Sequence, residues 1–146
     1  MEVNGKGFGL EFKSVSPEHF ELICKWRNDS RVLKYMDDTR VVNIKVLNAW
    51  LNRVNKLNKD KFFIVYRDNV PFGFLSFTKI NCEKNECFCG TFLDTEKLNG
   101  GLALVVFLLR EKILNSMEIN VIKTQVRKNN MRSIRLQEKL GGELFN

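Results

Sequence analysis

Proline is nearly missing from this chain, with two residues in 146, and histidine occurs once. So little proline, beside 44% hydrophobic and 28% charged residues, excludes a disordered or fibrous protein. No apolar run reaches bilayer-spanning length, the longest candidate being the stretch Leu102–Leu109, so no membrane contact is expected. The N-terminus, MEVNGKGFG, lacks a basic start followed by an apolar stretch, which points away from export and toward the cytoplasm. A long basic arm is missing too. The net charge of +7 is spread along the chain, with a modest concentration at Lys123, Arg127, Lys128, Arg132, Arg135 and Lys139. Aromatic residues fall mostly inside apolar runs, so a phosphorylated small molecule suits that charge better than nucleic acid.

Four cysteines are present, Cys24, Cys82, Cys87 and Cys89. A chain this apolar without a secretion signal needs no disulfide, and reduced thiols are expected. Cys87-x-Cys89 puts both sulfurs on one face of a strand, where Cys82 or His19 could join them around zinc. The spacing is not that of a zinc ribbon or finger, so no metal is expected. At this length the chain makes one domain, residues 1–146, with its own core.

Periodicity supplies the elements. Leu10–Val15 alternates as a first strand, and Ser16-Pro17-Glu18 reads as a helix start, with Ser as cap and Pro at the first position. That helix carries Phe20, Ile23, Cys24 and Trp26 and stops at Asn28-Asp29-Ser30. A second helix has Val46, Leu47, Trp50, Leu51 and Val54 at three- and four-residue spacing, ending in the polar stretch from Asn55 to Lys61. Phe62–Tyr66, Pro71–Ile80 and Glu86–Leu93 form an antiparallel meander, the first two joined by a hairpin-like Arg67-Asp68-Asn69-Val70. An almost wholly apolar helix from Leu102 to about Leu114 must be buried or packed across the sheet. Asn120–Val126 alternates as a strand, and Asn130–Leu140 is an amphipathic helix with Ile134, Leu136 and Leu140 inward, closed by Gly141-Gly142. The order describes an α+β layered domain with a mostly antiparallel sheet.

Asn99-Gly100-Gly101 stands between the strand ending at Leu93 and the apolar helix. Such a turn brings a phosphate close to first-turn N–H groups that have no partner within the helix. With this turn after the fourth strand, and with Asn129-Asn130 leading a helix that ends Lys139-Leu140-Gly141, the chain resembles the GNAT superfamily of acetyl-CoA-dependent N-acetyltransferases. Trp26-Arg27-Asn28, Met36, Ser76-Phe77-Thr78-Lys79-Ile80-Asn81, Asn99-Gly100-Gly101 and Asn129-Asn130 are similar in order and spacing to the N-acetyltransferases of pseudaminic acid biosynthesis. Those enzymes acetylate the 4-amino group of a UDP-linked amino sugar.

The resemblance implies a GNAT-like mixed sheet flanked by helices and acetyl-CoA as co-substrate. It places pantetheine along Phe92 and Leu93, pyrophosphate on Asn99, Gly100, Gly101, Leu102 and Ala103, and the thiol beside Asn130 and Ser133. Arg27, Thr78 and Lys79 match residues that hold the nucleotide sugar, although Thr78 and Lys79 fall on opposite faces of one strand unless that strand bulges. Asn130 also reads as a plain helix cap. The implied chemistry is direct attack of a neutral amine, with a backbone N–H near Phe92 or Leu93 polarising the carbonyl and the proton leaving through water held by Gln125, Ser76 or a carbonyl. The catalytic acid and base stay unassigned. The family's acidic Tyr falls on Gln137, its substrate His near Leu47, its strand Tyr on Phe92, and its proposed Glu base on Gln125. GNAT domains normally continue with two more strands, so the expected sheet lacks them and has an edge through which a homodimer could form. A different amine acceptor such as a protein N-terminus, or an acyl-CoA-binding module without turnover, stays open at this point.

Overall fold

The computed structural model describes residues 6–97 and 101–145. Alternation in β2 (Leu10–Ser14) buries Leu10 and Phe12 and turns Lys13 outward. A two-residue β1 (Lys6–Gly7) pairs beside it. β3 (Lys61–Arg67), β4 (Val70–Asn81) and β5 (Glu86–Leu93) form the expected antiparallel meander. Its first hairpin turns at Asp68 and Asn69, both at left-handed φ of 50° and 64°, which Asp and Asn tolerate and a two-residue hairpin requires. β6 (Val121–Lys123) joins β5 in parallel, completing a sheet in chain order from β1 to β6.

Helices cover both faces. α1 (Phe20–Arg27) and α3 (Ile44–Leu57) place Phe20, Ile23, Trp26, Leu47 and Leu51 with Ile64 on one face. On the other face α4 (Leu102–Ser116) buries Val106, Leu109, Ile113 and Leu114 against Leu75, Phe77, Cys87 and Cys89, with Leu136 of α5 (Met131–Lys139) and its C-cap Leu140 packed at the margin. α4 is therefore the packed apolar helix that its composition requires. Gly141, at φ 84°, closes α5, and the Gly142 N–H donates to the Gln137 carbonyl at 2.8 Å.

Several local expectations are corrected. Pro17 opens a 3-10 turn (Pro17–His19) ahead of α1, in which the Ser16 N–H donates to His19 Nδ1 at 3.0 Å. Asn28-Asp29-Ser30 ends α1 but starts another helix, α2 (Ser30–Leu33), because Asp29 accepts from the Arg31 N–H and so acts as its cap. α3 runs on to Leu57, stopping where Asn58 turns left-handed, and Val46 faces solvent. The last strand is only three residues long.

Candidate active site

β5 and β6 pair over three positions only, Glu86–Val121, Cys87–Ile122 and Phe88–Lys123. Beyond them β5 continues from Cys89 to Leu93, held by β4 on one side and, among the described residues, by no strand on the other. The Asp94 N–H donates to the Phe72 carbonyl at 2.6 Å. Strand alternation then turns Phe92 toward β4, and the backbone groups of Thr91 and Leu93 toward the open edge. Of the two residues expected to offer an N–H to a thioester carbonyl, Leu93 is the one so placed. Phe92 instead contributes its ring to the opposite face. Thr91, not singled out in the sequence, carries a buried Oγ1 with no hydrogen-bond partner on this same stretch.

The helix beyond the opening starts at Gly101, whose φ of 90° puts it in the left-handed region where a side chain is strained. The Val105 N–H makes the first helical bond, to the Gly101 carbonyl at 3.1 Å. The N–H groups of Leu102, Ala103 and Leu104 thus precede the helical ladder. Leu102 is buried and Ala103 half-buried, so both could serve a phosphate only through the backbone. Asn99 and Gly100 lie outside the described residues.

The face carrying α1 and α3 presents an aromatic wall. Phe92 stacks on Phe74 with ring centroids 4.7 Å apart and an interplanar angle of 7°. Phe62 stands 5.9 Å from Phe74, and Trp50 meets Phe62 edge-on at 4.7 Å. All four are partly buried. Leu47, by contrast, is fully inside the core and unavailable to an acceptor. Trp26 Nε1 donates to Asp94 Oδ2 at 3.1 Å, fixing the end of α1 to the end of β5. Next to it Arg27 donates through Nη2 to the Asp38 carbonyl, and its Nη1 is buried without a partner.

Thr78 pairs with Phe88 near the other end of β5. From Phe88 to Asp94 is roughly 20 Å along a strand, so Arg27 and Thr78 stand at opposite ends of the face. Between Thr78 and Asn81 the register shifts, and Lys79 has a φ of 50°. The strand therefore bulges at Lys79, the condition under which neighbouring residues can share a side. Lys79 Nζ lies 4.9 Å from the centre of the Phe88 ring, and the Lys79 N–H donates to Asp60 at 3.2 Å.

Charges on the segment 28–43 are arranged in pairs. Arg31 holds Asp29 at 2.7 Å, drawing that carboxyl down to about 2, and Arg40 holds Asp38 at 2.7 Å with the same direction of shift. Arg127, from the segment after β6, donates to the Met36 carbonyl at 3.1 Å, tying that segment to the one after α2. Asn130 is the cap of α5, accepting from the Ser133 N–H at 3.3 Å through Oδ1. Ser76 donates to the Gly90 carbonyl at 3.4 Å, while Gln125 is exposed.

Comparison with known proteins agrees with this architecture. The family model described as an acetyltransferase (GNAT) domain matches residues 10–143, and the chain belongs to that family. The acetyltransferase PseH of Campylobacter jejuni is 23% identical over 127 residues, covering 87% of this chain and 78% of that protein. Spermidine N-acetyltransferase from Vibrio cholerae, solved with CoA and spermine, superposes with a TM-score of 0.84 at 15% identity, over 92% of this chain and 81% of that one. The aminoglycoside acetyltransferase AAC(6′)-Ib with coenzyme A gives 0.77 at 17% identity, over 94% and 86% of the two chains. The protein is an acetyl-CoA-dependent N-acetyltransferase with a GNAT fold. No described helix is long and apolar enough to cross a membrane.

Proposed function

We propose that the acceptor is the amino group of a nucleotide-linked amino sugar, bound on the aromatic face between Arg27 and the Thr78–Lys79 bulge. The observation that carries this reading is the buried Arg27 Nη1 left without a partner, on a face where the nearby carboxylates are already taken. A buried guanidinium N–H without an acceptor is costly, and a diphosphate oxygen supplies one. Phe74, Phe92 and Trp50 offer flat apolar surface to a base or a sugar ring. A polycationic acceptor would need free carboxylates; Asp29 and Asp38 are each occupied by an arginine. The similarity to PseH supports the same class. The setting we propose is cytoplasmic, for which four free thiols speak.

Acetyl-CoA supplies an activated thioester. In this reading the Leu93 N–H faces the thioester oxygen as a single oxyanion donor. The Thr91 hydroxyl and backbone pair with pantetheine amides, and Gly101 with Leu102–Leu104 N–H groups receives pyrophosphate. Ser76, half-buried on the acceptor face, holds the water that takes the ammonium proton. The departing thiol, of pKa near 8.5, leaves without a proton donor.

Thiol release from acetyl-CoA tests the acceptor. Turnover is expected with a UDP-linked 4-amino sugar, with KM raised at least tenfold in Arg27→Met. Efficient acetylation of spermine or a peptide N-terminus, with none of the nucleotide sugar, would overturn the assignment.

A further inference from the structure

Arg110 is 2% exposed, on the sheet-facing side of α4. The other buried polar residues described, His19 and Asp94, are fully engaged: His19 with Tyr66 and Ser16, Asp94 with Trp26, Lys97 and the Glu96 N–H. Arg110 is not. Among the described residues no carboxylate lies within ion-pair distance of it, and its Nε is buried with no hydrogen-bond partner. Its guanidinium carbon rests 4.4 Å from the centre of the Phe107 ring. The ionisable groups near it are Cys87 and Cys89, whose sulfurs are 3.8 Å apart, and half-buried Glu111 on its own helix. Burial lowers its pKa, opposed in part by Cys89, Glu111 and Cys87, and a guanidinium stays protonated.

Arg110 also lines a cleft of about 340 Å³ between the C-terminal halves of α4 and α5 and the start of β6. Asn115, Asn120 and Gln137 bring amides to it, Glu111 brings a carboxylate that is not within ion-pair distance of Arg110, and Ile122 and Leu140 give it apolar walls. The volume is that of a small-molecule site. Nine residues of helix, about 13 Å, separate Arg110 from the phosphate-facing end at Gly101. The cleft is therefore not the pyrophosphate cradle.

We propose that this cleft binds a small oxyanion-bearing metabolite, whose carboxylate or phosphate oxygens accept from Arg110 and whose remaining polar atoms bond to Asn115 and Asn120. A buried cation with no carboxylate in ion-pair distance is destabilising, and its retention on the sheet-facing side of α4 is accounted for if an anion arrives to pair with it. Three carboxamides around the charge suit an oxygen-rich ligand better than an apolar one. The site goes beyond acetyl transfer, since nothing in that reaction requires an anion at this end of α4.

Calorimetry with the CoA-saturated protein tests it, using inorganic phosphate and citrate as probes. CoA fills the other phosphate site, and no acceptor is needed, so failure here leaves the acceptor assignment untouched. At least one probe is expected to bind, with affinity lost tenfold or more in Arg110→Met and partly kept in Arg110→Lys. Citrate alone assigns a carboxylate ligand, and phosphate alone a phosphate. The Met variant without probe is expected to melt no lower than wild type. Should it fail to fold, the Lys variant carries the comparison, because a point charge cannot reproduce the guanidinium fork. No binding by wild type, or equal binding by wild type and variants, would overturn the proposal. So would a thiolate absorbance at 240 nm at pH 7 that disappears in Cys87→Ser, since Arg110 would then be neutralised from within.

Discussion

His19 is neutral by construction. Its Nδ1 accepts the Ser16 N–H, so Nε2 carries the proton and donates to the Tyr66 oxygen at 2.7 Å. Burial lowers its pKa, partly opposed by Glu18. The unfolded chain then takes up a proton near pH 6.5 that the folded chain refuses, and stability present above that value is lost as pH falls below it. The urea midpoint is expected to drop between pH 7 and pH 5, and to drop less in His19→Phe. Asp29, held near 2, titrates below that window. A second expectation concerns Leu93. Because its N–H points away from β4, Leu93→Pro breaks no bond to that strand but removes the N–H proposed as oxyanion donor, so kcat should fall about 10²–10³-fold. Leu93→Ala keeps the N–H and isolates the packing loss; an equal fall in both would refute the role. At this scale the sequence was only partly legible. It pointed to Arg27 and Leu93 through motif position, but Arg110 and Thr91 matter because of what does not pair with them, and a missing partner has no signature in a linear chain. A lone arginine within the apolar run from Leu102 to Leu114 was the one available signal.

Elements were legible where a single period ran for many residues and illegible where a few residues decided. The meander and α4 follow from strong apolar patterning, whereas α2 depends on one capping carboxylate and β6 on three pairs with a neighbour. The bulge at Lys79 was foreseen only as the condition that would let Thr78 and Lys79 share a side. Its cause is local: the Asp60 carboxylate takes the Lys79 N–H that a regular ladder would use. The polar link between α1 and the residue that follows β5 is likewise one hydrogen bond, from Trp26 to Asp94. Trp26→Phe removes the donor and leaves the buried carboxylate one bond short, a cost of about 1–3 kcal/mol. Asp94 follows directly on Leu93, so the same variant should raise KM for acetyl-CoA, measurable by thiol release, while Asn43→Ala should cost about 1 kcal/mol in denaturation through its lost cap and leave KM unchanged. A KM for acetyl-CoA unaffected by Trp26→Phe would show that the end of β5 is held without that hydrogen bond.

At the scale of the whole molecule the sheet is closed by protein at Glu86–Phe88 and open from Cys89 to Leu93. That opening was legible only through family resemblance, because the length of a parallel pairing depends on where two distant segments diverge. A sheet held apart in this way gains whatever binding contributes, and acetyl-CoA has no comparable site on the unfolded chain. Ligand at a hundred times its Kd therefore stabilises by about 2.7 kcal/mol. For a chain of this size that corresponds to a rise in melting temperature of roughly 8 °C. CoA and acetyl-CoA should act alike, since the acetyl group adds little to the contacts along the edge. Gly101 separates this effect from general charge screening: among the described residues no atom beyond its chain neighbours lies within 4 Å of where its Cβ would stand, so Gly101→Val acts chiefly by straining a φ of 90°. Movement of that backbone tilts the first N–H groups of α4 away from the pyrophosphate proposed to bind there. The variant should keep the citrate or phosphate response at Arg110 and lose most of the shift produced by acetyl-CoA. A full acetyl-CoA shift in Gly101→Val would place the pyrophosphate elsewhere.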